Sequence, residues 1–235
     1  MPRQQPQSPA PMFDRKTLAF LGELKRNNER AWFEANKHRY ETTVLDPALA
    51  FIEAMAPKLE RVSRHFTAIP KRSGGSLMRV YRDTRFSPDK TPYKTNIGIQ
   101  FRHELGRDIH APGFYVHIEP GGCFLGAGIW HPDADALQRI RNEIVARPDD
   151  WRRATRAKRF TEHFELAGDA LLRPPRGFAA DVPHLEDVKR KDFIAVSAFE
   201  NDLVTGPDFA HTLALRFKAT APLVAFLCNA LDLPF

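Results

Sequence analysis

Four cations and two carboxylates crowd into the thirteen residues from Arg82 to Lys94, RDTRFSPDKTPYK. The planar guanidinium forks of Arg82 and Arg85 suit a carboxylate or a phosphate, and Lys90 and Lys94 add compact point charges. Asp83 and Asp89 have two chemical uses. They can orient those cations, or they can take and give a proton as catalytic groups. Tyr93 contributes a phenol. Cations, carboxylates and turn amides brought together are the parts of an anion site. The same residues can also pair among themselves and act as a clasp that orders a long loop. Neither a Gly-rich phosphate loop nor a nucleophile–base pair accompanies them, so the pattern specifies no reaction and no cofactor.

The elements that must hold this block follow from its flanks. A strand is expected from about Leu77 to Asp83, and Tyr93 enters the next one. Ser87-Pro88-Asp89-Lys90 reads as a type I turn, and Thr91-Pro92 imposes an extended step. The connection of about eight to ten residues exceeds an ordinary hairpin loop, and such loops tend to carry function.

Beyond it the period is two. Ile97, Ile99 and Phe101 alternate with polar or small residues, as do Phe114, Val116 and Ile118, and then Cys123, Leu125, Ala127 and Ile129. Pro120-Gly121-Gly122 joins the last two runs as a hairpin, so these strands must be antiparallel. DFIAVSAF, from Asp192, predicts one later strand.

Helices are expected on both sides of the strands. Phe13, Asp14 and Leu18 form a staple-and-cap start. Asn27-Asn28 is read as ending that helix and capping one that carries Trp32, Phe33 and Tyr40. Asp46-Pro47 repeats the start signal. Leu137, Ile140, Ile144 and Val145 share a helical stripe, and a closing helix runs from Pro207 to Leu231. The expected class is α+β, an antiparallel sheet covered by flanking N- and C-terminal helices. Residues 13–235 form one domain in this reading, behind a disordered Pro/Gln-rich tail over residues 1–12.

The chain has 235 residues and a net charge of +6, a mild excess whose placement matters more than its size. Cys123 and Cys228 lie far apart and outside any metal-binding spacing, which predicts reduced core thiols and a cytoplasmic location. No uninterrupted apolar run reaches about eighteen residues, so no membrane span is expected. The nine histidines include no close ligand pair, and no metal site is expected.

Two further stretches have functional readings. Tyr115, His117 and Glu119 would share a sheet face with Gly126, Gly128 and Trp130, as a pocket of aromatic, imidazole and carboxylate beside bare backbone. Alternatively a helix packs on those glycines. RPDDWRRATRAKR, with six cations against two aspartates, is either a nucleic-acid contact or a solvated helix face.

The central block closely resembles the "RDxRFSxDKxPYK" hallmark of the bacterial and fungal family called domain of unknown function 2461. The likeness continues through Asn27-Asn28 to Trp32-Phe33, Gly113 to Pro120, Gly126 to Pro132, Arg141 and Pro175-Arg176-Gly177-Phe178. Trp130-His131-Pro132 departs from the shorter aromatic-x-Pro pattern expected there. The resemblance implies a shared fold and carries no activity.

The functional expectation is a cationic pocket for an anionic or phosphorylated small molecule. Arg82, Arg85, Lys90, Tyr93 and Lys94 would bind the ligand, Trp130 and Arg141 would line the edge, and Asp83 and Asp89 are the acid/base candidates. The alternatives are a non-catalytic module contacting nucleic acid or a protein partner, and a purely structural clasp.

Overall fold

A reciprocal cap opens the fold. Asp14 accepts from the Lys16 and Thr17 amides, and its own amide donates to the Thr17 hydroxyl at 3.4 Å. The computed structural model describes residues 11–106 and 111–235. The N-terminal helices are α1 (Arg15–Arg26), α2 (Arg30–Ala35), α3 (Lys37–Tyr40), a π-helical turn (Glu41–Leu45) and α4 (Asp46–Glu60). The strands β1 (Phe66–Thr67), β2 (Ile97–His103), β3 (Gly113–Ile118) and β4 (Cys123–Ile129) follow. Then come α5 (Ala134–Ala146), α6 (Pro148–Arg156), α7 (Lys158–Thr161), β5 (Glu165–Ala167), α8 (Leu185–Val188), β6 (Phe193–Phe199), α9 (Asn201–Val204) and α10 (Phe209–Ala230).

The six strands form one sheet in the order β1-β2-β3-β4-β6-β5, antiparallel throughout, so the class is α+β. Alternation assigns the faces. Ile97, Ile99 and Phe101 of β2, Phe114, Val116 and Ile118 of β3, and Leu125 and Ala127 of β4 are buried. The rings of Phe101 and Phe114 meet Phe217 of α10, with centroids 6.2 and 4.9 Å apart. Tyr115, His117, Phe124, Gly126 and Gly128, on the opposite face, are only half-buried.

The length of α10 and its mean hydropathy of 1.2 would suffice to cross a membrane, yet 56% of that window is buried within the fold. Its Phe209 packs on Phe13 and Phe51, which is the position of a core helix.

Several local expectations resolve differently. Residues 1–10 of the expected tail lie outside the described residues, and Met12 packs against the core. Asp46 caps nothing, because Tyr40, Leu45 and Asp46 all keep right-handed helical backbone and the π-turn runs straight into α4. Glu29, not Asn28, occupies the N-cap of α2.

Residues 77–83 form no continuous strand. Isolated bridges join Leu77 to Ile99 and Tyr81 to Tyr93. No helix sits at the closest approach to Gly128. That residue has φ +126°, and a Cβ there would lie 2.1 Å from the Phe193 carbonyl oxygen, so the neighbouring strand requires the glycine.

Because the buried Phe217 packs on rings of both β2 and β3, Phe217→Ala is expected to destabilise the protein by about 3–5 kcal/mol in chemical denaturation.

Candidate functional site

The charged block is anchored from a distance. The Asn28 side chain donates to the Tyr93 carbonyl at 2.9 Å and accepts from the Tyr93 amide at 3.0 Å, acting as a one-residue strand partner. Tyr93 is 3% exposed and stacks on Phe33 with centroids 4.1 Å apart, so its ring is a core contact. Across the hairpin the Arg82 amide donates to the Pro92 carbonyl, and the Lys94 amide to the Val80 carbonyl.

Most of the block's cations are satisfied inside the loop. Arg82 donates to Asp89 and to the Thr91 hydroxyl. Arg85 places its fork on Asp83, with bonds of 3.0 and 2.7 Å. Lys90 donates to the Thr84 carbonyl at 2.8 Å. Phe86, at the tip, is 93% exposed under the Arg85 guanidinium.

The two carboxylates are poor proton acceptors near neutrality. Hydrogen bonds from Arg82 and then Thr91 hold Asp89 down at about 2, and the bonds from Arg85 lower Asp83.

Lys94 is the exception. Its ammonium reaches neither aspartate, and among the described residues it has neither a hydrogen-bond nor an ion-pair partner. Burial lowers its pKa, and neighbouring Arg79 pushes the same way. It lines a narrow cleft of about 10 Å³, room for about one water, with Leu21, Tyr40, Met78 and Asn96. A larger hollow of about 130 Å³ adjoins it through Tyr40, Leu77, Met78 and Val80, and is bordered by Phe33, Arg79 and Tyr81. The π-turn contributes Glu41 and Leu45 to that wall, and burial pushes the Tyr40 phenol up to about 12. Arg72, at the rim, is paired with Glu41 at 3.6 Å and Asp46 at 3.5 Å.

Beside Lys94, the half-buried sheet face carries a second polar group. His117 Nδ1 lies 3.1 Å from the Tyr115 hydroxyl and 3.3 Å from Asn96 Nδ2, while its Nε2 lies 3.4 Å from Glu119 Oε2. Phe124 stacks on the imidazole at 4.6 Å and 14° and fixes its plane. Glu119 also accepts from Lys25 at 3.1 Å and Thr95 at 3.2 Å. Burial pushes the Glu119 carboxyl up, but the bonds from Lys25 and His117 outweigh it and hold it below the usual range. Gly98 makes room for this group, since a Cβ there would stand 2.9 Å from the Tyr115 hydroxyl and 3.0 Å from Met78 Sδ. Among the described residues, no three His, Cys, Asp or Glu side chains form a metal-ligand group.

Two expected edge residues lie elsewhere. Trp130, 66% exposed and stacked on His131, stands six residues along from Phe124, about 20 Å by strand rise. Arg141 is 6% exposed, and its guanidinium donates to the Val188 and Arg190 carbonyls at 2.8 and 2.9 Å. It ties α5 to the last residue of α8 and to Arg190 just beyond, and has no free face for a ligand.

Most cations of the basic run over α6 and α7 are paired. Arg152 bonds Asp149, Arg153 bonds Asp150, and Lys158 meets Glu162 at 3.7 Å; Arg156 reaches the buried Asp187.

Asn28, Arg79, Met78 and Asn96 escaped the sequence reading. Asn96 shares the parity of Lys94, which was a usable signal. Nothing in the spacing links Asn28 to a partner 65 residues away.

The hairpin that sets these positions lies within a stretch that matches a known family. The family described as conserved hypothetical protein (DUF2461) matches residues 16–226, from within α1 to near the end of α10. The chain belongs to this family. The match takes in the Arg82–Lys94 block, the Asn28 clamp and the His117 group of this DUF2461 protein. No curated protein and no solved structure matches it.

Two outcomes are expected. Asn28→Ala strands both buried backbone groups of Tyr93 and lowers stability by about 1–3 kcal/mol, measured by denaturation. The Asp89 clasp is complete above the ordinary value of 3.8 and opens as pH falls through about 2, because the folded-state pKa is depressed. The Thr91 amide, which donates to Asp89 Oδ1 at 2.9 Å, reports that opening by NMR.

Proposed function

We propose that this DUF2461 protein binds a small anionic ligand, a phosphate or a carboxylate, in the hollow bordered by Arg79, where it adjoins the cleft beside Lys94. One observation carries the reading: Lys94 is a half-buried ammonium with no acidic partner among the described residues, its charged form disfavoured by burial and by Arg79. An anion entering there would restore the lost solvation and relieve the repulsion between the two cations. The adjoining wall of Phe33, Tyr40 and Tyr81 supplies apolar area for the rest of a small molecule.

Arg82, Arg85 and Lys90 act in this reading as the clasp that holds the hairpin, so the structural and ligand-binding roles are divided within one block. Contact with nucleic acid has less support, because the cations of α6 and α7 are offset by neighbouring carboxylates. A cytoplasmic setting accords with Cys123 and Cys228, both free and buried.

Titration with inorganic phosphate, followed by calorimetry, tests the division. Lys94→Ala is expected to weaken binding about tenfold or more, the loss of one charge-assisted bond. The double variant Arg82→Ala, Arg85→Ala is expected to lower Tm while retaining phosphate. If the double variant loses phosphate and Lys94→Ala keeps it, the ligand does not sit at this hollow.

A further inference from the structure

The hollow bordered by Arg79 combines two kinds of wall. Phe33, Tyr40 and Tyr81 give it three aromatic sides. The Phe33 and Tyr40 rings stand 5.1 Å apart at 53°, and Phe33 meets Tyr81 at 6.3 Å and 63°. Rings tilted in this way offer faces and edges on which a further ring can continue the packing. Met78 adds a polarisable thioether, which also suits an aromatic neighbour. Tyr81 is 49% exposed although it borders a concave space, so an occupant would take much of its ring out of water.

The same lining carries Lys37, Arg72 and Arg79 against a single carboxylate, Glu41. Glu41 is already engaged by Arg72, and Lys37 lies 4.0 Å from Glu34. Among the described residues the Arg79 guanidinium has neither a hydrogen bond nor an ion pair, and its charge reaches Asp83 and Lys94 only through space. The Tyr40 hydroxyl makes no hydrogen bond among them either. Burial keeps that phenol protonated, so it is a donor without an acceptor.

Size narrows the class of occupant. A space of about 130 Å³ approaches the roughly 150 Å³ of an apolar cavity that takes up benzene, so one six-membered ring fills it. The adjoining cleft of about 10 Å³ admits one oxygen and no ring. A neutral hydrocarbon would leave Arg79 and the Tyr40 hydroxyl without a partner. A bare phosphate would leave the aromatic sides in water.

We infer that the ligand of this hollow is a single-ring aromatic acid, a deepening that rests on the anion-binding reading above. Its ring lies against Phe33, Tyr40 and Tyr81. Its carboxylate or phosphate faces Arg79, and Tyr40 donates to one acid oxygen. Lys94, in the adjoining cleft, strengthens the hold on the acid group and stays clear of the ring.

The test titrates the full chain with matched probes, followed by calorimetry. Phenyl phosphate and benzoate are expected to bind roughly tenfold or more tighter than methyl phosphate and acetate, which lack the ring. Benzoate is expected to exceed benzyl alcohol, which lacks the acid, by about the same factor. Tyr81→Ser, checked by its melting curve, is expected to erase most of the ring's advantage and to keep methyl phosphate. Arg79→Ala is expected to weaken phenyl and methyl phosphate alike, about tenfold. A nuclear Overhauser contact between the phenyl protons and the Tyr81 ring locates the probe without any substitution.

The outcomes separate the two readings. If methyl phosphate binds as tightly as phenyl phosphate and Arg79→Ala weakens both, the aromatic class fails and the anion site stands. If benzyl alcohol equals benzoate and Arg79→Ala changes neither, the anion site fails and takes this inference with it. A ring advantage that survives Tyr81→Ser, with no contact to the Tyr81 ring, also overturns the inference. Absence of binding by every probe overturns both.

Discussion

The pleat of the β2–β3 pair is the constraint on which the rest of the molecule hangs. Ile99 lies opposite Val116 and Gln100 opposite Tyr115. Burial of Ile97, Ile99, Phe114, Val116 and Ile118 against the helices therefore commits Asn96, Tyr115 and His117 to the other face. A slip of one residue would expose that apolar set and force an imidazole and a phenol into the core. The register is thus held by hydrophobic burial, and the geometry of the polar group follows from it at no separate cost.

Charge in this protein is divided by reach. Arg85 finds Asp83 two residues away and Arg82 finds Asp89 seven away, so both pairs close within the hairpin. Such exposed pairs add little stability singly. Their collective effect is to shape a loop whose two prolines limit its backbone. Lys94 is only four residues from Lys90, but it lies past the loop, and its side chain lines the cleft beside Asn96. Asn28 fixes this step of the chain by taking both backbone groups of Tyr93, which leaves Tyr93 inward and its neighbour Lys94 outward.

Glycine positions tell a similar story about close approach. Gly98 and Gly128 look equivalent in the sequence, since each is a small residue inside an alternating strand. The first leaves space for the Tyr115 hydroxyl and Met78, and the second admits the backbone of β6. What each glycine accommodates is set by a neighbour across the sheet, brought there by a separate part of the chain.

The sequence by itself determined the α+β class, the three central strands, the PGG hairpin and the long closing helix, because period-two and period-3.6 burial are local patterns. It also marked the Arg82–Lys94 block and the Tyr115-His117-Glu119 triplet, whose members sit two residues apart on one strand face. Only the tertiary structure decided which cations are consumed and which is left facing a cavity. It also decided that Arg141 serves two backbone carbonyls, that Trp130 stands at the far end of its strand, and that Asn28 clamps a residue 65 positions away. Those outcomes depend on pairings between distant segments and on the space left between them, and neither has a signature in residue type or spacing.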